Sequence, residues 1–354
     1  MKKIFTLIVL GALCISKTNA QDISGIFKGG PSDVNALLNA YTNPLFKGFG
    51  NGLNGGWTNT AKTQKFLRFA IRVSATGSIV PDADRAFDIN SLNLTNIRPT
   101  NSGQSLSPTF GGRNGAVGQN ITYYNDPKNP ALGKYDTKLP DAVSTIIPAP
   151  QVQLTVGLIK STDITLRVIP TFQVNSDVGS LGMFGVGLKH NFSGDFGTAS
   201  HVIPFDLALA VGYTHLSYTK TLDVKPDANN AGTSGSQDYS NQKLQGDFSG
   251  WNAQIILSKK LLFFTPFVSV GYLTSKTDVG LKGNFPFVTG ADPITGKPKY
   301  TTTPDPITIN SSAAATSGAR ADVGFQMSLF FLKIYGSYSF AEYQSFNGGI
   351  GLGF

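Results

Sequence analysis

Residues Ala319-Arg320-Ala321-Asp322-Val323-Gly324-Phe325-Gln326-Met327-Ser328-Leu329 set Ala, Val, Phe, Met and Leu at the odd positions and Arg, Asp, Gly, Gln and Ser at the even ones. A period of two is the signature of a strand with one apolar and one polar face. After Phe330 and Phe331 the pattern resumes, with Leu332, Ile334, Tyr338 and Phe340 against Lys333, Tyr335, Ser337 and Ser339. The chain then ends on Phe346, Ile350, Leu352 and Phe354 spaced by glycines.

The alternation extends back through most of the chain. Leu67, Phe69, Ile71, Val73 and Ala75 oppose Arg68, Ala70, Arg72, Ser74 and Thr76, and Trp251, Ala253, Ile255 and Leu257 oppose Asn252, Gln254 and Ser258. Eleven runs qualify as strands: 65–76, 84–97, 150–159, 163–174, 181–192, 204–218, 247–258, 261–275, 318–330, 332–341 and 345–354.

A water-soluble sandwich alternates too, so the solvent on each face has to come from other features. The polar faces carry Gly, Ser, Thr and Gln with isolated charges, as a confined lumen would. Connections alternate in length. Those at 160–163, 258–261 and 330–332 are tight, whereas 99–148, 219–246 and 276–317 are long and polar. Short turns at one end, long loops at the other and a closing aromatic strand describe an outer-membrane barrel. In hydrocarbon every backbone donor and acceptor must be paired, so a sheet spans only when it has no edge.

An odd count conflicts with both chain ends lying on one side. A strand at 117–124 gives twelve, and a hairpin of 278–287 with 306–312 gives fourteen. The fold expected is therefore all-β, a transmembrane antiparallel β-barrel of 12–14 strands with a short N-terminal helical plug segment. That helix is expected at 32–41, where Val34, Leu37, Leu38 and Tyr41 share a face behind Ser32 and Asp33. Gly48, Gly50, Gly52, Gly55 and Gly56 read as a connector after it.

Lys2 and Lys3, an apolar stretch 4–15 and Thr18-Asn19-Ala20 follow the order of a cleaved secretory signal. The expected divisions are a signal peptide at 1–20, a plug or periplasmic segment at 21–62 and the barrel at 63–354, located in the cell outer membrane. Cys14 is the one cysteine, so a mature chain has neither disulfide nor thiolate. The 354 residues hold 29 Lys and Arg against 21 Asp and Glu, a net charge of +8, with no basic run. Nucleic-acid binding is excluded on that ground. Outside the signal region no stretch approaches the ~20 apolar residues of a spanning helix.

Gly185-Val186-Gly187-Leu188-Lys189-His190, Ile203-Pro204-Phe205-Asp206-Leu207, the ending 348–354 and Asn54-Gly55-Gly56-Trp57-Thr58-Asn59-Thr60-Ala61-Lys62 resemble an uncharacterised family of Gram-negative outer-membrane barrels. The layout, a helical segment before a Gly-rich barrel, is more distantly similar to the long-chain fatty acid transporter group. That resemblance implies an N-terminal plug and lateral exit of hydrophobic solutes, and it matches no ligand-binding residue position by position.

His190, His201 and His215 lie in no zinc spacing, and no Gly-x-Ser-x-Gly elbow occurs. The chain is read as a non-enzyme without cofactor or metal; a membrane hydrolase would need His215 with Ser217 or Ser193. Asp82, Asp84 and Asp88 are weighed as calcium ligands and read as a solvated turn. Arg68, Arg72, Arg167, Asp206, Arg320, Asp322 and Lys333 fall on polar strand faces and are the lumen-lining candidates. They select solutes by charge, or they pair with one another to fill the lumen. Ile350, Leu352 and Phe354 form the signal for the barrel-assembly machinery. The function expected is a passive channel or transporter for small solutes, hydrophobic ones included. The alternative is a structural or interaction scaffold whose long loops bind a partner. Outer-membrane lipid is a partner under either reading.

Overall fold

The alternating runs close into a ring. A computed structural model describes residues 30–124, 133–175, 179–195, 204–226, 238–291, 297–309 and 315–353. Ten antiparallel strands form one closed barrel. They are β1 (Phe69–Ile79), β2 (Ile146–Gly157), β3 (Thr162–Asn175), β4 (Gly179–Asn191), β5 (Asp206–Thr221), β6 (Lys243–Ser258), β7 (Phe264–Lys282), β8 (Thr316–Leu329), β9 (Leu332–Phe340) and β10 (Ser345–Gly353). Each strand pairs with its sequence neighbours and β10 returns to β1, with Ala70 opposite both Gly353 and Thr155. The expected signal peptide and Phe354 lie outside the described residues.

The count is ten rather than twelve to fourteen. Run 84–97 does not span. It breaks into helical turns at Asp82–Asp84 and Ile89–Leu92, where the Asp88 side chain accepts the Asn90 N–H and Asn93 turns left-handed at φ 51°. Short Asp and Asn side chains here offer the backbone local hydrogen bonds that compete with a ladder. Strand Asn120–Tyr124 pairs instead with Ile97–Pro99 and Lys134–Lys138 in a small sheet within the β1–β2 connection. Of the second expected hairpin, residues to Lys282 only lengthen β7, and Asn284–Ala291 pairs with Pro298–Pro304. Ile307–Ile309 adds beside the end of β7. Residues 310–312 lie outside the described ones.

Chain entry into β1 and exit from β10 share the end that carries the tight turns. Lys160 and Ser161 there both take left-handed φ, 51° and 52°, as a two-residue hairpin requires. Leu262, Phe263, Phe330 and Phe331 stand exposed at the same rim, the level at which aromatic anchors meet a membrane surface.

Polarity reverses along the long strands. From the tight-turn rim to about Tyr213, Trp251 and Tyr272, the exterior is apolar: Leu209, Val211, Ile255 and Val270 are exposed. The interior at this level holds Gln151, Arg167, Asn252, Gln254 and Asp322. Beyond it, β5 to β7 turn Ser217, Asp247, Lys276 and Asp278 outward and bury Leu216, Phe248, Val279 and Leu281 inside. The first belt suits hydrocarbon outside and the second suits water outside. This is a transmembrane β-barrel whose long-loop end projects beyond the bilayer.

A helix, α1 (Pro31–Leu53), runs from the long-loop end down into the lumen. It is longer than the expected 32–41 because Gly48, Gly50 and Gly52, read as part of a connector, are helical, while Gly55 and Gly56 lie beyond its end. A Cβ on Gly48 would stand 2.7 Å from Ile147, on Gly50 2.5 Å from Ser275 Oγ, and on Gly52 2.7 Å from Ala149. Glycine costs roughly 1 kcal/mol per residue in a helix interior; here it lets the helix lie against the wall. The four apolar residues do not share one surface. Val34 and Leu38 face the barrel wall, Leu37 packs with Ile89, Ile97 and Ile121 of the long connection, and Tyr41 meets Phe110. An amphipathic face was expected because the sequence could not show that α1 is enclosed all round.

Candidate functional site: the lumen clamp

The last carbonyls of a helix have no partner within it and carry the negative end of its dipole. In this barrel the wall supplies the partners. Gln151 Nε2 donates to the Gly52 carbonyl at 2.7 Å. Arg167 donates from Nη1 to Leu53 and from Nη2 to Gly55, the latter at 2.7 Å. Asn252 and Arg320 both reach the Asn54 carbonyl, at 3.0 and 3.2 Å. Arg72 Nη2 donates to Gly56 and Trp57, the latter at 3.1 Å.

The extended residues that follow are held likewise. Lys189 Nζ bonds the carbonyls of Thr60 and Lys62 at 3.2 and 2.6 Å, and Asn191 Nδ2 that of Ala61 at 3.1 Å. In return Ala61 N–H donates to Ser258 Oγ at 3.0 Å and Gln64 N–H to Asp163 Oδ1 at 2.8 Å. Nine of the thirteen carbonyls from Gly52 to Gln64 thus accept from side chains of the wall, and the Ala61 and Gln64 N–H groups donate to it. A charge-assisted bond of this kind contributes roughly 1.5–3 kcal/mol.

Trp57 seats the segment. Its ring lies under the Arg167 guanidinium at 3.8 Å and fills space that Gly187 and Gly212 leave open on β4 and β5. A Cβ there would come within 2.7 and 2.5 Å of the ring.

The lumen-lining candidates divide. Arg72, Arg167, Arg320 and Asp322 meet around 53–57. Arg320 Nε pairs with Asp322 Oδ1 at 2.7 Å, and Asp322 Oδ2 accepts from Ser269 at 2.7 Å. Among the described residues no carboxylate lies within ion-pair distance of Arg72 or Arg167, so mutual pairing does not account for them; backbone carbonyls take that place. Asp206 sits at the tight-turn rim, 3.7 Å from Lys62. Lys333 faces a polar cavity of about 50 Å³ with Arg72, Asp163 and Lys189. Arg68 does not join them: it precedes β1 and is exposed at the rim, because the chain turns at Leu67, φ 60°, before the strand begins.

Asp163, Lys189, Asn191 and Trp57 were not singled out from the sequence. The signal available was a tryptophan, one of two in the chain, amid glycines and facing wall positions that are glycine or polar.

His215 lies 3.8 Å from Asp247 rather than joining Ser217 or Ser193. His190 bridges Thr162 and Asp195 at 2.9 and 2.8 Å, outside the lumen. Asp82 turns to Arg85, Asp84 to the Tyr343 hydroxyl and Asp88 to a backbone N–H. Ile350 and Leu352 are exposed on the apolar exterior.

Closed barrel, apolar belt and a lumen occupied by the chain's own N-terminal segment define a transmembrane β-barrel with an internal segment held at its carbonyls. The chain belongs to the family of unknown function DUF6588, which it matches over residues 1–354. No curated protein matches it. Among solved structures it is similar to Ail, the attachment invasion locus protein of Yersinia pestis, at 7% identity over 82% of this chain and 99% of that one, TM-score 0.24. The outer membrane protease OmpT of Escherichia coli is 9% identical over 83% of this chain and 100% of that one, TM-score 0.31. The translocator domain of the autotransporter NalP of Neisseria meningitidis is 11% identical over 82% and 89%, TM-score 0.28. At such identities and scores these likenesses carry nothing about activity.

Proposed function

We propose that this chain is a plugged passage of the outer membrane, with residues 31–64 as a displaceable plug and small solutes, hydrophobic ones included, as cargo. The observation that carries the reading is the chemistry of the clamp. An apolar core separates only at the cost of exposing its surface to water, whereas carbonyls and guanidinium, ammonium or amide groups that let go of one another can each bond the water of an opened lumen, so the clamp is held by bonds that water can replace. Asn54 Oδ1, Gln153 Nε2 and Asn347 Oδ1 are buried in the same zone without a protein partner, as groups that bind lumenal water would be. The distant similarity in layout to the long-chain fatty acid transporter group, read from the sequence alone, would imply a plug and brings no ligand residue with it. Lipid contacts the apolar belt, a cleaved signal delivers the chain, and β10 serves as the assembly signal.

The test is conductance and solute uptake in planar bilayers and liposomes. It compares the mature chain, a chain lacking residues 21–62, and the pair Arg72→Gln with Arg167→Gln. Flux rises in both altered forms if the segment is a plug. The scaffold reading has its own support in the filled lumen and the ordered sheet and hairpin of the long connections. Silence in all three forms would select it.

A further inference from the structure

Above the apolar belt α1 does not fill the barrel. Between its residues Leu38, Leu45 and Phe46 and the inner faces of β5 to β7 lies a cavity of about 370 Å³, closed on one side by Ile307 and Ile309. Its wall is apolar throughout, and no charged side chain lines it. Thr42 and Tyr218 also line it, but neither turns polar surface toward the space, and the Thr42 hydroxyl already donates to the Leu38 carbonyl at 2.6 Å. Phe248 forms part of its wall and is fixed by edge contact with Phe49, ring centroids 5.0 Å apart.

Protein interiors pack to crystal density and leave few voids larger than a water molecule. A buried water needs two to four polar partners, and this wall offers none. An apolar cavity of ~150 Å³ stays dry and takes up benzene; the space here is more than twice that and lies in the usual size range of small-molecule sites. We propose that this cavity is a binding site for a neutral apolar molecule, an aliphatic chain or a small aromatic hydrocarbon, received at the long-loop end. The site rests on the plugged-passage reading and supplies its cargo class: the molecule waits above the clamp. An anionic head group would find no counter-charge inside.

The experiment titrates the mature protein in lipid nanodiscs with the fluorescent apolar probe 1-N-phenylnaphthylamine. The outcome expected is saturable binding of one equivalent, displaced by decanol and by toluene and far less by decanoate. Thr42→Trp and Gly246→Leu each grow a side chain into the cavity and should weaken binding about tenfold or more. Retention of the folded, heat-modifiable gel mobility shows that either variant still forms the barrel. Probe binding that is not saturable, or that both variants leave unchanged, overturns the site. Preferential displacement by decanoate overturns the neutral class. Saturable binding with silent flux in every form sinks the passage and spares the site, whereas flux without binding does the reverse.

Discussion

Arg167 and Trp57 carry the argument at the level of single residues. A guanidinium fully enclosed by the barrel is stable there because two carbonyls and an aromatic face replace its water. Gly212 is the complementary detail, since a Cβ at that position would stand 2.5 Å from the Trp57 ring. Gly212→Val should therefore lower stability by roughly 1–3 kcal/mol, the usual penalty of overpacking. Adding Trp57→Ala should recover part of that loss, because the two changes share one contact. Thermal unfolding of the four forms in detergent measures the coupling. A penalty identical with and without Trp57 would show that the ring does not need the glycine.

Elements show the same dependence of pattern on surroundings. α1 is tied to the long β1–β2 connection by Tyr41, whose hydroxyl donates to the Asp141 carbonyl at 2.8 Å. Burial, and then the charge of Asp141, push its phenol up to about 12. A raised phenol titrates with a definite sign: the contribution is complete below the ordinary value of about 10 and is lost as pH rises through about 12. Thermal midpoints of the native protein and Tyr41→Phe should accordingly converge as pH climbs through that window, while their difference stays flat from neutrality to about 9. Strand β5 makes a second case. Leu209 is the centre of its outward apolar run, and Leu209→Arg should cost about 2–4 kcal/mol in folding into lipid vesicles. Gln326→Arg points into the lumen beside the polar cavity and should cost far less. Equal losses would contradict the assignment of the two faces.

For the whole molecule, the direction of α1 has a consequence for topology. Asp33 accepts N–H groups of Thr95 and Asn96 in the long connection at 2.8 and 2.6 Å, while Gln64 binds Asp163 beside the tight-turn rim. The segment therefore crosses the barrel from its long-loop end to its tight-turn end before β1 begins. With tight turns periplasmic and long loops external, Gly30 emerges at the outer face. Cleavage of the expected signal peptide would remove Cys14, the one cysteine of the sequence, so a single introduced cysteine tests this. Gly30→Cys, where a side chain meets nothing within 4 Å, should react with a membrane-impermeant maleimide on intact cells. Ser161→Cys in the β2–β3 turn should react only after the outer membrane is opened. The reverse pattern would invert the barrel.

The barrel was legible in the sequence because side-chain alternation is a local property, and the two sides of the wall face such different media that every strand records which is which. Arg320 and Asp322 were visible as a pair for the same reason, being two apart on one strand and so on one face. The strand number was not, since 84–97 and 120–124 satisfy the same local pattern and only the competition between local turns and long-range pairing excludes them. Nor was the helix beyond Tyr41 legible: its glycines weaken a helix in isolation and are tolerated because Ile147, Ser275 and Ala149 lie against them. The partners of Arg72 and Arg167 depended on the tertiary structure alone. A backbone carbonyl has no letter in the sequence, and which carbonyls meet which arginines is decided only when the segment before the barrel folds into its lumen.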